Sequence, residues 1–101
     1  MEIAMKKIVL NGENIHSESD FHKQIATLLG FSQYYGENLD ALWDCLSYDV
    51  ERPVLIIWNN SDCSKRQLGE MTFNNIIIIF QLVKEQDIDS NLTEKINFEL
   101  R

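Results

Sequence analysis

From Gln24 to Val50 the chain has no lysine and no arginine. Glu37, Asp40, Asp44 and Asp49 all stand in that stretch, and Glu51 extends the run to Arg52, the first base after Lys23. A surface that only keeps a protein dissolved mixes both signs of charge. A segment of one sign produces a directed field. The formal net charge of −7, taken alone, fits a role in solubility, and its distribution says more than the total. Nucleic acid and anionic membrane are poor partners for such a chain, because their phosphates would be repelled, and a basic partner is the natural complement.

Other scarcities narrow the class. With 1 proline and 4 glycines in 101 residues, a disordered or loop-rich scaffold is excluded. No internal repeat, linker or low-complexity tract appears, so one domain over residues 1–101 is expected. The opening "MEIAMKKIVL" has no apolar run of signal-peptide length, and no stretch approaches a membrane span. The expected location is therefore cytoplasmic. The 2 cysteines, Cys45 and Cys63, match neither a zinc motif nor a CxxC redox site. They read as free thiols, with one structural disulfide left open. Neither a phosphate-binding glycine loop nor a calcium loop is present, and no cofactor or metal is expected.

The apolar pattern alternates between strand and helix. "KKIVLN", Lys6 to Asn11, is short and β-branched and ends at Asn11-Gly12, as a strand before a turn does. In "SESDFHKQIATLLG", Phe21, Ile25, Leu28 and Leu29 form a helical stripe, with Ser19 as N-cap and Gly30 as C-terminal cap. Asn38 can cap a second helix whose stripe is Leu39, Leu42, Trp43 and Leu46. "PVLIIW", Pro53 to Trp58, is apolar without alternation, as in a strand covered by helices on both faces. "MTFNNIIIIFQLVKEQ" fits a buried strand or a helix. Topology favours the helix, since parallel strands need a crossover between them. "KINFEL", Lys95 to Leu100, alternates cleanly and predicts a half-buried edge strand. The order is β-α-α-β-α-β, with a further short helix around Ser64 to Leu68 as an option. It predicts an α/β fold, a three-stranded parallel sheet packed with three to four helices.

Asp40 and Asp44 are four residues apart, so they stack on one face of the second helix, where like charges repel. Trp43 falls at the border of the apolar stripe, and Tyr34, Tyr35 and Gly36 lead into the helix. Aromatics beside carboxylates suit a protein-binding surface: the rings give contact area and the acids select Arg or Lys. The pattern alone also allows Trp43 and one tyrosine to be core residues. Paired-carboxylate catalysis is a weak reading, because it needs two environments that separate the pKa values. His16 falls in a loop and His22 near the edge of the first helix's stripe, as a packed residue.

The run "YYGENLDALWDCL", followed by "ERPVLIIW", resembles the barstar family of intracellular ribonuclease inhibitors. "KKIVLNGENIHSESDFHKQI" is similar too, and the resemblance extends over residues 6 to 100. It implies a non-enzymatic protein that binds a basic secreted, barnase-like ribonuclease one to one and is a monomer when free. The second helix and its leading loop would plug the active site. By the same resemblance, Asp44 would mimic a substrate phosphate, Asp40 would meet a further cation or backbone group, and Tyr34 would pack on a catalytic histidine. Gly36, Asn38, Leu39 and Trp43 would complete the contact surface. Cys45 matches a cysteine of the motif, whereas Cys63 has no counterpart.

Two positions depart from the family pattern. Asp49 stands where a tryptophan is frequent, and Leu82 where the third helix often supplies a glutamate. They motivate a rival reading, the same fold directed at a different toxin or regulatory partner. A rival from another class is a small acidic hydrolase using Asp40 and Asp44.

Overall fold

The computed structural model describes residues 5–91 and 93–101. Strand β1 (Lys6–Asn11) leads through a 3-10 turn (Gly12–Asn14) to helix α1 (Glu18–Leu29) and helix α2 (Leu39–Tyr48). Strand β2 (Val54–Asn59) follows, then α3 (Ser61–Leu68), α4 (Glu70–Asp89) and β3 (Ile96–Leu100). The strands lie in the order β1-β2-β3, with both pairings parallel. Each crossover is helical, as parallel pairing requires. The optional fourth helix is real and begins earlier than expected, at Ser61. The isoleucine run is helical, and four successive turns of α4 bury Phe73, Ile76, Phe80 and Val83.

The first helix starts two residues earlier than the sequence suggests. Ser17, not Ser19, is the N-cap, and its Oγ accepts from the Asp20 N–H at 3.1 Å. The Asp20 carboxylate in turn accepts from the N–H of His16, the residue before the cap, at 3.0 Å, so the helix start is braced from both sides. At the other end Gly30 takes the left-handed conformation, with φ 71°, as expected of a C-terminal cap.

One expectation about the sheet is corrected. Ile8, Leu10, Val54, Ile56, Trp58 and Ile96 face the helices and form the core with Phe21, Ile25, Leu42 and Leu46. The opposite face carries Lys7, Val9, Leu55, Asn97 and Glu99, exposed or half-buried. Helices therefore cover one face only. Ile57 is nevertheless buried, flanked by Val9 and Glu99 on the neighbouring strands. A central strand can thus read as continuously apolar without a helical layer on each side.

Trp58 is the centre of the core. The Phe21 ring stacks on it at 5.2 Å, and Phe73 packs at 5.1 Å. Its indole N–H donates to Ser64 Oγ at 2.9 Å, and that hydroxyl donates to the Gly12 carbonyl at 3.0 Å. A buried indole with its donor satisfied costs little, and the chain of bonds fastens α3 to the end of β1. A Cβ at Gly12 would collide with the carbonyl oxygens of Asn59 and Asn60, so the turn admits only glycine. Among the described residues, no helix is long and apolar enough to cross a membrane.

Candidate partner-binding surface

Asn38 sets the orientation of α2. Its Oδ1 accepts from the Ala41 N–H at 2.8 Å, and its amide donates to the Gly36 carbonyl at 3.2 Å. The helix then turns Leu42 and Leu46 fully into the core. Asp40 and Asp44 consequently stand on the solvent side, one turn apart. Leu39 is half-buried against the core. Trp43 is 40% exposed, so of the two readings the sequence allowed, the structure makes it a border residue available for contact.

The loop from 30 to 38 divides its two tyrosines. Tyr34 is 85% exposed, whereas Tyr35 turns inward against Phe31 and His22. Glu37 adopts a left-handed conformation, φ 49°, immediately before the cap. Tyr34, Gly36, Asp40, Trp43 and Asp44 thus share the exposed part of one loop and the helix it enters.

Neither Asp40 nor Asp44 takes part in a side-chain hydrogen bond or ion pair among the described residues. The base that follows the segment is already occupied. Arg52 is paired with Asp87 at 3.0 Å, and its guanidinium also donates to the Val50 carbonyl at 2.7 Å. The acidic helix therefore keeps its field uncompensated by that neighbour.

Helix α4 packs beside α2, and each leads into a strand of the parallel sheet. Ser47 Oγ donates to Gln86 Oε1 at 3.3 Å between them. One turn back along each helix stand Trp43 and Leu82, the latter 44% exposed. Asp49 ends α2 and is exposed.

The two cysteines are free, which settles the open question of a disulfide. Burial pushes the Cys45 thiol up, and the Asp49 and Asp44 carboxylates add to the shift. Cys45 is therefore a poor nucleophile. His22 is fully buried, more so than the edge position in the sequence suggested. Two pairs escaped the sequence reading, His22 with Tyr35 and Arg52 with Asp87, because each joins residues far apart in the chain.

Residues 5–100 match the family model described as Barstar (barnase inhibitor). This chain belongs to the barstar family. A Bacillus subtilis (strain 168) protein named "Putative ribonuclease inhibitor YrdF" is 33% identical over 82 residues, covering 81% of this chain and 89% of that protein. The family match accounts for the parallel three-stranded sheet and for the long motif that builds α2 and its leading loop.

Proposed function

We propose that this barstar-family protein is an intracellular inhibitor of a basic, secreted, barnase-like ribonuclease and protects the cell that makes the enzyme. It binds one to one, as a free monomer meeting its target, and catalyses nothing itself. The observation that carries this reading is the pair of carboxylates, Asp40 and Asp44, unpartnered among the described residues and exposed on α2 with Trp43, after a loop that exposes Tyr34.

A ribonuclease that holds RNA needs a cationic cleft. A carboxylate projecting from a rigid helix is a protein's nearest imitation of phosphate. Asp44 enters the cleft and pairs with its cations, and Asp40 meets a further donor. Tyr34 stacks on a ring of the enzyme, while Gly36, Asn38, Leu39 and Trp43 close the surface around them. Long-range attraction speeds the encounter, and desolvated ion pairs slow release.

The first experiment is inhibition of purified barnase at low salt by the parent protein and by Asp44→Ala. Strong inhibition by the parent and little by the folded variant is expected. Equal inhibition by both would remove Asp44 from the interface. A folded parent without effect on barnase would favour the second reading, a barstar-fold module for a different toxin. That alternative rests on Leu82, whose exposed apolar side chain on α4 offers no charge to a cation, and on Asp49, which adds a carboxylate at the end of α2.

A further inference from the structure

His22 is wholly buried, yet both of its ring nitrogens have polar partners. Nε2 lies 3.0 Å from a Glu18 carboxylate oxygen, and Nδ1 lies 2.6 Å from the Tyr35 hydroxyl. An ionised carboxylate only accepts, so Nε2 carries the proton that faces Glu18. In the neutral ring Nδ1 is then an acceptor, and Tyr35 Oη donates to it. Tyr35 suits that role, since burial and the neighbouring Cys45, Glu37 and Glu18 hold its phenol protonated far up the pH scale.

This bond ties α1 to the loop that leads into the acidic helix. Between the left-handed residues Gly30 and Glu37, only Phe31 and Tyr35 turn toward the core. The Tyr35 N–H bonds the Ser32 carbonyl at 3.0 Å, and the Tyr34 N–H bonds Ser32 Oγ at 3.1 Å, so the turn is internally braced. Its ends are tied by the Phe31 N–H to the Ala26 carbonyl at 2.9 Å and by the Asn38 amide to the Gly36 carbonyl at 3.2 Å, and between them its side-chain contact with the core is through those two rings. Apolar contact gives area, whereas a part-buried hydrogen bond of 2.6 Å also fixes direction. Tyr34 is the next residue and points out to solvent.

We infer that His22 is a positioning residue for partner recognition, holding the Tyr34–Gly36 turn in its binding pose through the Tyr35 hydroxyl. The inference rests on the proposed inhibitor reading for its link to binding, but its structural half is testable without any partner. The side chains of Asn and Gln separate the two bonds of the ring. Asn carries its amide near the place of Nδ1, and Gln near that of Nε2. His22→Asn therefore keeps a partner for Tyr35 and drops Glu18, while His22→Gln does the reverse. Tyr35→Phe removes the same bond as His22→Gln from the other side.

The test combines amide hydrogen exchange of the free protein with inhibition of barnase for the parent and the three variants. In His22→Gln and Tyr35→Phe, exchange at the Tyr34 and Tyr35 amides rises about tenfold, as loss of one hydrogen bond implies. His22→Asn recovers most of that protection, although it is the smaller side chain, and amides of β2 are unaffected throughout. Inhibition follows the same order, with about tenfold weaker binding in His22→Gln and Tyr35→Phe. Unchanged exchange in all variants would overturn the inference, as would losses that follow side-chain size and leave Gln better than Asn. If the parent does not inhibit barnase, the inhibitor reading loses support while the exchange order still decides the role of His22.

Discussion

Arg52 and Asp87, 35 residues apart, form a forked ion pair, with Nε donating to one carboxylate oxygen at 3.0 Å and Nη2 to the other at 3.3 Å. Both side chains are nearly buried. Asp87 also accepts from the Ile96 N–H at 2.8 Å, so one carboxylate joins the approach to β2, the end of α4 and the start of β3. Removing one member of a buried pair leaves the other charged and alone, which is costlier than the pair's own net worth. Asp87→Ala is expected to destabilise the protein by about 3–5 kcal/mol. A urea denaturation midpoint close to that of the parent would refute it.

Asp44→Ala should act in the opposite sense on the free protein. It removes a like charge one turn from Asp40 and no internal hydrogen bond or ion pair. A gain of about 0.2–0.5 kcal/mol in stability is expected, together with loss of inhibition. Equilibrium unfolding of the purified variant, run beside the inhibition assay, checks both. A clear loss of stability would mean that Asp44 supports the fold.

The uncompensated stretch from Gln24 to Val50 implies steered association. Screening shortens the reach of the field from about 30 Å at 0.01 M salt to about 8 Å at 0.15 M. Under the inhibitor reading, stopped-flow association with barnase should slow steeply over that range, while dissociation changes much less. A flat association rate would count against the acidic helix as the site of encounter.

Alkali should destabilise the fold in two stages. The Cys45 thiol and the Tyr35 phenol are both held above their ordinary values, Cys45 by burial and the Asp49 and Asp44 carboxylates, Tyr35 by burial and the charges of Cys45, Glu37 and Glu18. In the unfolded chain they ionise near pH 8.5 and 10, roughly. Above each of those values the unfolded state releases a proton that the folded state keeps, so stability falls as pH rises. Denaturation midpoints measured from pH 7 to 11 should show both declines. Cys45→Ala should abolish the first and Tyr35→Phe the second.

What the sequence made legible was whatever a short period or a single cap encodes. The stripe of α2, its Asn38 cap and the register of charge on its outer face needed nothing beyond spacing. The full length of α3 was hidden because its buried side chains are Ser61 and Ser64, so no apolar stripe marks it. The isoleucine run was ambiguous because α4 spends Ile76 on the core and leaves Ile78 in solvent. The open face of the sheet was misread because Ile57 is sheltered by neighbouring strands and not by a helix. The pairings of His22 and Arg52 belong to tertiary structure alone. The roles assigned to the α2 residues came from a resemblance to a family, and spacing by itself left Trp43 undecided between core and contact.

The chain's 2 tryptophans occupy opposite environments. Trp58 is sealed beneath Phe21, with its N–H bound to Ser64, and Trp43 stands partly open to solvent next to Asp44. The molecule thus contains two separate optical gauges. Trp58, fully buried, should emit from a dry site that quenchers do not reach until the protein unfolds. Trp43, 40% exposed, should be open to quenchers, and under the inhibitor reading its emission should change when the partner covers α2. Replacing Trp43 by phenylalanine should leave a protein whose emission follows folding alone, and under the inhibitor reading only the protein that keeps Trp43 should also respond to a ribonuclease at constant fold.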